Sequence, residues 1–199
     1  MLIDVGMAKG AGTREKTLAA AAKLFRAQGY EGTALNDVLD AAQTPRGSLY
    51  FHFRGGKEEI GEAALTFAAN AVRAAIAQAA ATSKNAETFL IRIARGMAAE
   101  LERSDYKEGC PIATTALETA ARSESLGFSA RSAFQGWEEE IKAGLERFGF
   151  AAGPADFIAT AALSQLEGAL LLARTYRNLE PMRRAENALK LLLAAGKAK

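Results

Sequence analysis

The sequence predicts an all-α fold, and three observations carry that prediction. Apolar residues make up 49% of the 199 residues, with alanine abundant and only four prolines, a composition suited to helix. Apolar positions recur every three or four residues along the chain, where strands would alternate every two. Gly29, Pro45, Gly149 and the pair Gly153-Pro154 punctuate these periodic stretches and mark their ends. A chain of this length can build one extended unit or two smaller ones, each with its own core.

Taken in order, residues 1–12 are expected to be a disordered tail, with Met7 a candidate start. The opening Met1-Leu2-Ile3-Asp4-Val5 is too short, and acidic too early, for a signal sequence. Thr13 is placed to cap a first helix to Gln28, in which Leu18, Ala21, Ala22 and Phe25 share helical spacing and Gly29 supplies the stop. Thr33 is placed to cap a second, short helix whose apolar face is Leu35, Val38, Leu39 and Ala42. Gln43-Thr44 makes a turn, and Pro45 suits the first position of a third helix, where its missing N–H costs nothing. Leu49 and Phe53, four apart, share its inward face.

A long fourth helix is expected from about Lys57 to Ala81, as the connection between two domains. Phe89, Leu90, Ile93 and Met97 open a fifth helix to about Leu101, and Cys110-Pro111 starts a sixth to about Ala121. The stretch from Leu126 to Arg147 carries Phe128, Phe134, Trp137, Ile141 and Leu145. Two strongly apolar helices follow, from Ala155 to Tyr176 and from Pro181 to about Ala195. A helix apolar on nearly all sides must be covered on nearly all sides, by its own domain or by a second subunit.

Charge and chemistry narrow the function. Net charge is +2, so no global field advertises nucleic acid. Residues 13–57 nevertheless hold seven cations against four acids. One cysteine and one histidine leave no disulfide within the chain and no zinc cluster, so no metal and no cofactor are expected. No nucleophile–base–acid set or phosphate-binding glycine loop is visible, which argues against an enzyme. No uninterrupted apolar run approaches the roughly 20 residues of a membrane span, and the chain reads as cytoplasmic with no membrane partner.

Within the cationic segment, Gly29-Tyr30-Glu31-Gly32-Thr33, the short helix from Leu35 to Ala42, and Gly47-Ser48-Leu49-Tyr50-Phe51-His52-Phe53 before Lys57-Glu58-Glu59 resemble the N-terminal domain of TetR-family transcriptional repressors. Farther on, the Arg54-Gly55-Gly56-Lys57 linker, Gly109-Cys110-Pro111-Ile112 and Leu166-Glu167-Gly168-Ala169-Leu170 resemble the LmrA/YxaF-like branch of that family. The resemblance implies a three-helix helix-turn-helix domain at 13–60, joined by the long helix to a larger ligand-binding and dimerisation domain at 61–199. Its partners would be a double-stranded DNA operator, a small-molecule effector and a second copy of the chain. Two positions depart from the family's common pattern: Gln43 stands where glycine is usual, and Pro45-Arg46 replaces a Ser-Lys-like pair.

The DNA-binding residues expected are Thr33, Thr44, Arg46, Gly47, Ser48, Tyr50, His52 and Lys57. A phenol and an imidazole at 50 and 52 can donate to phosphate oxygens, the favoured reading over Tyr50 packing partly on the first helix and His52 capping a helix end. Arg46 and Ser48 open the third helix, the end that enters a major groove. Arginine forks onto the O6 and N7 of guanine, or clamps phosphate without reading sequence. Gly47 permits close approach to a neighbouring helix or to the groove, and Thr33 and Lys57 lie where helix N-termini favour phosphate.

Candidate effector-pocket residues are Met97, Cys110, Phe128, Phe134, Trp137 and Leu166, for which core packing is the plainer role. Cys110 can be a reactive thiol at a helix start, giving a redox-sensing regulator, or simply a buried cap. Glu118 and Glu167, in otherwise apolar helices, can meet a ligand or partner or lie on exposed faces. A dimer interface is expected through Phe157, Leu163, Leu170, Ala173, Leu189 and Leu192. The reading is a homodimeric repressor released from a near-palindromic operator by an apolar or aromatic effector, with a helical adaptor as the alternative.

Overall fold

The structure, a computed structural model, describes residues 12–197, without the side chains of Ser48, Tyr50 and Lys197. The tail expected over 1–12 therefore lies, up to residue 11, outside the described residues. Nine α-helices and no strand occur among the described residues, as the periodicity predicts. Packing divides them into two compact units, one of residues 12–71 with Cys110–Phe134, the other of Val72–Gly109 with residues 135–197.

The first unit opens with α1, Thr13–Gln28, which buries Leu18, Ala21, Ala22 and Phe25 on one face. Its N-cap is Gly12 rather than Thr13, and it ends at Gly29, whose φ of 81° only glycine adopts readily and whose N–H bonds the Phe25 carbonyl. Helix α2, Leu35–Ala42, buries Val38, Leu39 and Ala42.

The expectation that Thr33 caps α2 is corrected. Thr33 is buried, its hydroxyl donates to the Gly29 carbonyl at 2.6 Å, and Ala34 is the N-cap. Alanine has no side-chain acceptor, so capping here is one-sided: Asp37 accepts the Ala34 N–H at 3.0 Å.

Gln43 ends α2 in the left-handed conformation at φ 52° and ψ 43°. Pro45 then serves as the N-cap of α3, Arg46–His52, so the helix starts one residue later than expected. Leu49 and Phe53 are each 1% exposed and anchor this helix. Helix α4, Gly56–Thr82, begins in this unit, and the unit boundary falls within it. Helix α6, Pro111–Thr119, packs along α1. Cys110 is its N-cap, the buried sulfur accepting the Ala113 N–H at 3.4 Å, so the capping role is the one observed.

In the second unit α5 (Ala86–Arg103), α8 (Ala152–Tyr176) and α9 (Glu180–Lys197) pack on one another. Helix α5, Ala86–Arg103, carries a reciprocal cap in which Asn85 accepts the Thr88 N–H at 2.8 Å and Thr88 accepts that of Asn85 at 3.2 Å. Helix α7, Glu124–Arg147, crosses the unit boundary and buries Trp137, Ile141 and Leu145 in its second part. Gly144 brings it against α5, for a β-carbon there would lie 2.6 Å from the Phe89 ring. Helix α8, Ala152–Tyr176, takes Gly153-Pro154 into its first turn, where the missing proline donor has no intrahelical acceptor to lose. Helix α9 spans Glu180–Lys197.

The expected dimer residues divide sharply by exposure. Leu163, Leu170, Ala173 and Leu189 are at most 8% exposed in the isolated chain, so its own packing covers them. Phe157 is 69% exposed, Leu192 is half-buried, and the large apolar side chains left open on α8 and α9 are Phe157, Leu171, Leu172, Tyr176 and Leu191. Helices α4 and α8 are also long and apolar enough, by length and composition, to cross a membrane, which no uninterrupted run in the sequence had indicated. Both bury leucine and isoleucine against neighbouring helices, as core helices of this length do.

Candidate nucleic-acid interface

The helix-turn-helix is α2 and α3, hung on α1. Burial of Leu49 and Phe53 fixes which way α3 faces, and leaves Arg46, Gly47 and Phe51 exposed with His52 partly so. The turn before it is closed by two backbone bonds to the end of α2, from Gln43 N–H to the Asp40 carbonyl at 3.1 Å and from Thr44 N–H to that of Leu39 at 3.0 Å. Among the described residues Arg46 donates from Nη2 to Asn36 Oδ1 at 2.8 Å, a bond between the two exposed faces of the motif. Both partners are open to solvent, so the guanidinium can exchange this bond for a base edge at little cost.

The other expected contacts fall into three groups. Thr33 and Thr44 are buried, with the Thr44 hydroxyl 3.4 Å from the Ala42 carbonyl; both side chains hold the motif together instead of offering donors outward. Among the described residues no atom lies within 4 Å of where a β-carbon on Gly47 would sit, so none of them is the close helix neighbour expected there. Lys57, near the start of α4, holds its ammonium 4.3 Å above the Tyr30 ring. The side chains of Ser48 and Tyr50 lie outside the described residues.

Phe51 is a residue the sequence reading passed over. It is 79% exposed, and its ring meets that of His52 edge-on at 5.2 Å between centroids. The signal was present: Phe51 lies off the Leu49/Phe53 face, so a large apolar ring there had to point outward.

Behind the motif, Tyr30 packs between Phe25, at 5.4 Å between centroids, and Gly61 of α4, which has room for the ring only because it lacks a β-carbon. Burial pushes the Tyr30 phenol up, and the carboxylates of Glu58, Glu31 and Glu62 push it the same way. Glu58 accepts from the Ser123 and Ser125 hydroxyls at 2.6 and 2.9 Å, and these bonds, Ser123 first, hold its carboxyl below the usual range.

Of the six candidate pocket residues, Cys110, Phe128 and Phe134 belong to the first unit and Met97, Trp137 and Leu166 to the second. Phe128 is 62% exposed and lines a groove of about 890 Å³ between α1, α4 and the first part of α7, with Arg14, Leu18, Glu62, Phe67 and Arg131. Trp137 and Leu166 are buried.

Comparison with known proteins decides the family. Residues 18–64 match the description "Bacterial regulatory proteins, tetR family", and residues 86–188 match "Transcriptional regulator LmrA/YxaF-like, C-terminal domain". The chain belongs to the TetR family. The HTH-type transcriptional regulator LmrA of Bacillus subtilis (strain 168) is 31% identical over 170 residues, covering 85% of this chain and 90% of its own. A TetR transcriptional regulator from Legionella pneumophila superposes with a TM-score of 0.80 at 22% identity, over 92% of this chain and 98% of that one, which shows the shared fold. A cysteine mutant of the TetR-family regulator CifR, solved in complex with 26-bp double-strand operator DNA, superposes with a TM-score of 0.73 at 20% identity, over 95% and 99% of the two chains. Membership makes this TetR-family protein a helix-turn-helix transcriptional regulator, not an enzyme.

Proposed function

We propose that this regulator is a repressor that binds a near-palindromic operator as a homodimer and is released by a small apolar or aromatic effector. The observation that carries the reading is the outward face of α3, where Arg46, Phe51 and His52 stand clear of a buried Leu49/Phe53 anchor. Arg46 is the base reader, Phe51 offers its ring to a thymine methyl or sugar, and Tyr50, His52 and Lys57 hold phosphate. The cytoplasm, where the operator lies, is where it acts.

Dimerisation is supported by one exposed stripe of α8. Phe157, Ser164, Gly168, Leu171 and Thr175 follow each other at spacings of three, four or seven, and among the described residues nothing lies within 4 Å of a would-be β-carbon on Gly168. Leu191 on α9 is 73% exposed and adds to the apolar surface left open. Two copies pairing through these faces would bury side chains the single chain leaves in water. Two α3 helices could then enter successive major-groove half-sites. An effector weakens binding to the extent that it prefers a dimer with a different half-site spacing, typically by about 1–3 kcal/mol.

The test is a titration of the purified chain against its own promoter region and a scrambled duplex. Tighter binding to the promoter, lost in Arg46→Ala, supports the reading; equal binding to both duplexes contradicts it.

A further inference from the structure

The turn joining α1 to α2, Gly29-Tyr30-Glu31-Gly32, is closed by hydrogen bonds between its own residues and their neighbours in sequence. Gly29 N–H bonds the Phe25 carbonyl, Thr33 N–H that of Tyr30, and the Thr33 hydroxyl that of Gly29. Glu31 N–H finds no backbone acceptor among the described residues. Its partner comes from 87 residues away: Glu118, at the end of α6, accepts it on Oε2 at 2.9 Å. The other carboxylate oxygen of Glu118 occupies the volume that a β-carbon on residue 29 would need. Gly29 is thus required twice, by its φ of 81° and by the carboxylate seated against it.

One turn earlier on the same face of α6, Thr114 Oγ1 lies 2.6 Å from the Cys110 carbonyl and 3.1 Å from that of Phe25. Its single proton serves the nearer carbonyl, so Glu118 is the firm polar link from α6 to the turn. From the other side the turn is held by packing, with the Tyr30 ring between Phe25 and Gly61 and under Lys57.

We propose that Glu118 is a positioning residue for DNA binding, locking the α1–α2 turn so that α2 and α3 are presented in one orientation. The inference rests on the operator-binding role above. Helix α2 begins four residues after Glu31, and α3 is tied to α2 by the Gln43 turn and the Arg46–Asn36 bond, so slack at Glu31 passes directly to the reading helix. If the turn opens, only a fraction of molecules presents α3 correctly, and the apparent Kd rises as the inverse of that fraction.

The experiment compares the full chain with Glu118→Ala and Glu118→Gln, by hydrogen exchange at the Glu31 amide without DNA and by fluorescence-anisotropy titration of an operator duplex. Losing a bond to a charged acceptor should speed Glu31 exchange and raise the operator Kd, each about tenfold, in Glu118→Ala. Glu118→Gln, whose amide oxygen can still accept, should stay within about threefold of the parent on both. Glu102→Ala, an exposed change on α5, should alter neither. A merely stabilising glutamate would lower the melting temperature and leave the Kd well below that temperature untouched.

A double-mutant cycle adds a readout tied to the packing. Gly29→Ala should raise the Kd less in the Glu118→Ala background than in the parent, because the φ strain cancels and the steric conflict with the carboxylate does not. Unchanged Glu31 exchange, an unchanged Kd in Glu118→Ala, or Glu118→Gln as defective as Glu118→Ala would each overturn the inference. A parent chain with no sequence preference would instead overturn the operator reading itself.

Discussion

Gln43→Gly should stabilise the protein, although it removes a side chain. Gln43 sits at φ 52° and ψ 43°, a left-handed conformation that costs an L-residue about 1–2 kcal/mol. Glycine adopts it without that cost but gains freedom in the unfolded chain, which takes back about 0.4–1 kcal/mol. Nothing else changes sides: the Gln43 side chain is exposed, and the hydrogen bonds of the turn run through its backbone N–H, which glycine keeps. The net gain is therefore about 0.5–1 kcal/mol. In urea, with a slope of about 2 kcal/mol per molar, the midpoint should rise by about 0.3–0.5 M, followed by far-UV circular dichroism. Gln43→Ala keeps the left-handed strain and should move the midpoint by less than about 0.2 M. A glycine variant no more stable than the parent would refute the assignment of strain to this turn, and with it the view that the chain holds α3 against a local conformational cost.

The remaining expectations follow from particular contacts. Gly144→Ala would press a β-carbon to within 2.7 Å of two Phe89 ring atoms and 3.3 Å of Ala80, and should destabilise by about 1–3 kcal/mol in chemical denaturation. Glu58 titrates below its usual 4.5 because it accepts from Ser123 and Ser125, so the stability from this contact is fully present above pH 4.5 and is lost as pH falls through the lowered folded value. Glu58→Gln should accordingly flatten the acid limb of a melting-temperature profile, and an unchanged limb would show that the contact contributes nothing. Leu171→Glu combined with Leu191→Glu should give a monomer by light scattering at micromolar concentration, since both side chains are exposed in the single chain; a persistent dimer would place the interface elsewhere.

Much of the helix-turn-helix was legible because its signals are local. Leu49 and Phe53 four residues apart, Pro45 before them and Gly29 after Phe25 locate α1 and α3 from spacing and backbone chemistry alone. Thr33 was misread for a local reason as well: a threonine ahead of an apolar run looks like a cap, and nothing in the sequence shows that its hydroxyl turns back to Gly29. On α8 and α9 the apolar pattern is wide enough to supply two faces, and periodicity cannot say which one the chain covers itself. Leu163, Leu170, Ala173 and Leu189 fell to the inner face and Phe157, Leu171 and Leu191 to the outer. Glu118 was visible only as a carboxylate in an apolar helix, because its partner lies 87 residues earlier and is a backbone N–H that no side-chain pattern reports.

The most direct measurement of the central claim is a hydroxyl-radical footprint on the promoter region at near-physiological salt. Two protected patches related by an approximate two-fold axis are expected, centred about one helical turn of DNA apart or a multiple of it. Arg46→Ala should weaken protection at that site by about tenfold or more, with little change on a scrambled duplex. Even protection without a preferred site, or a footprint that Arg46→Ala leaves unchanged, would contradict the assignment of α3 as the reading helix.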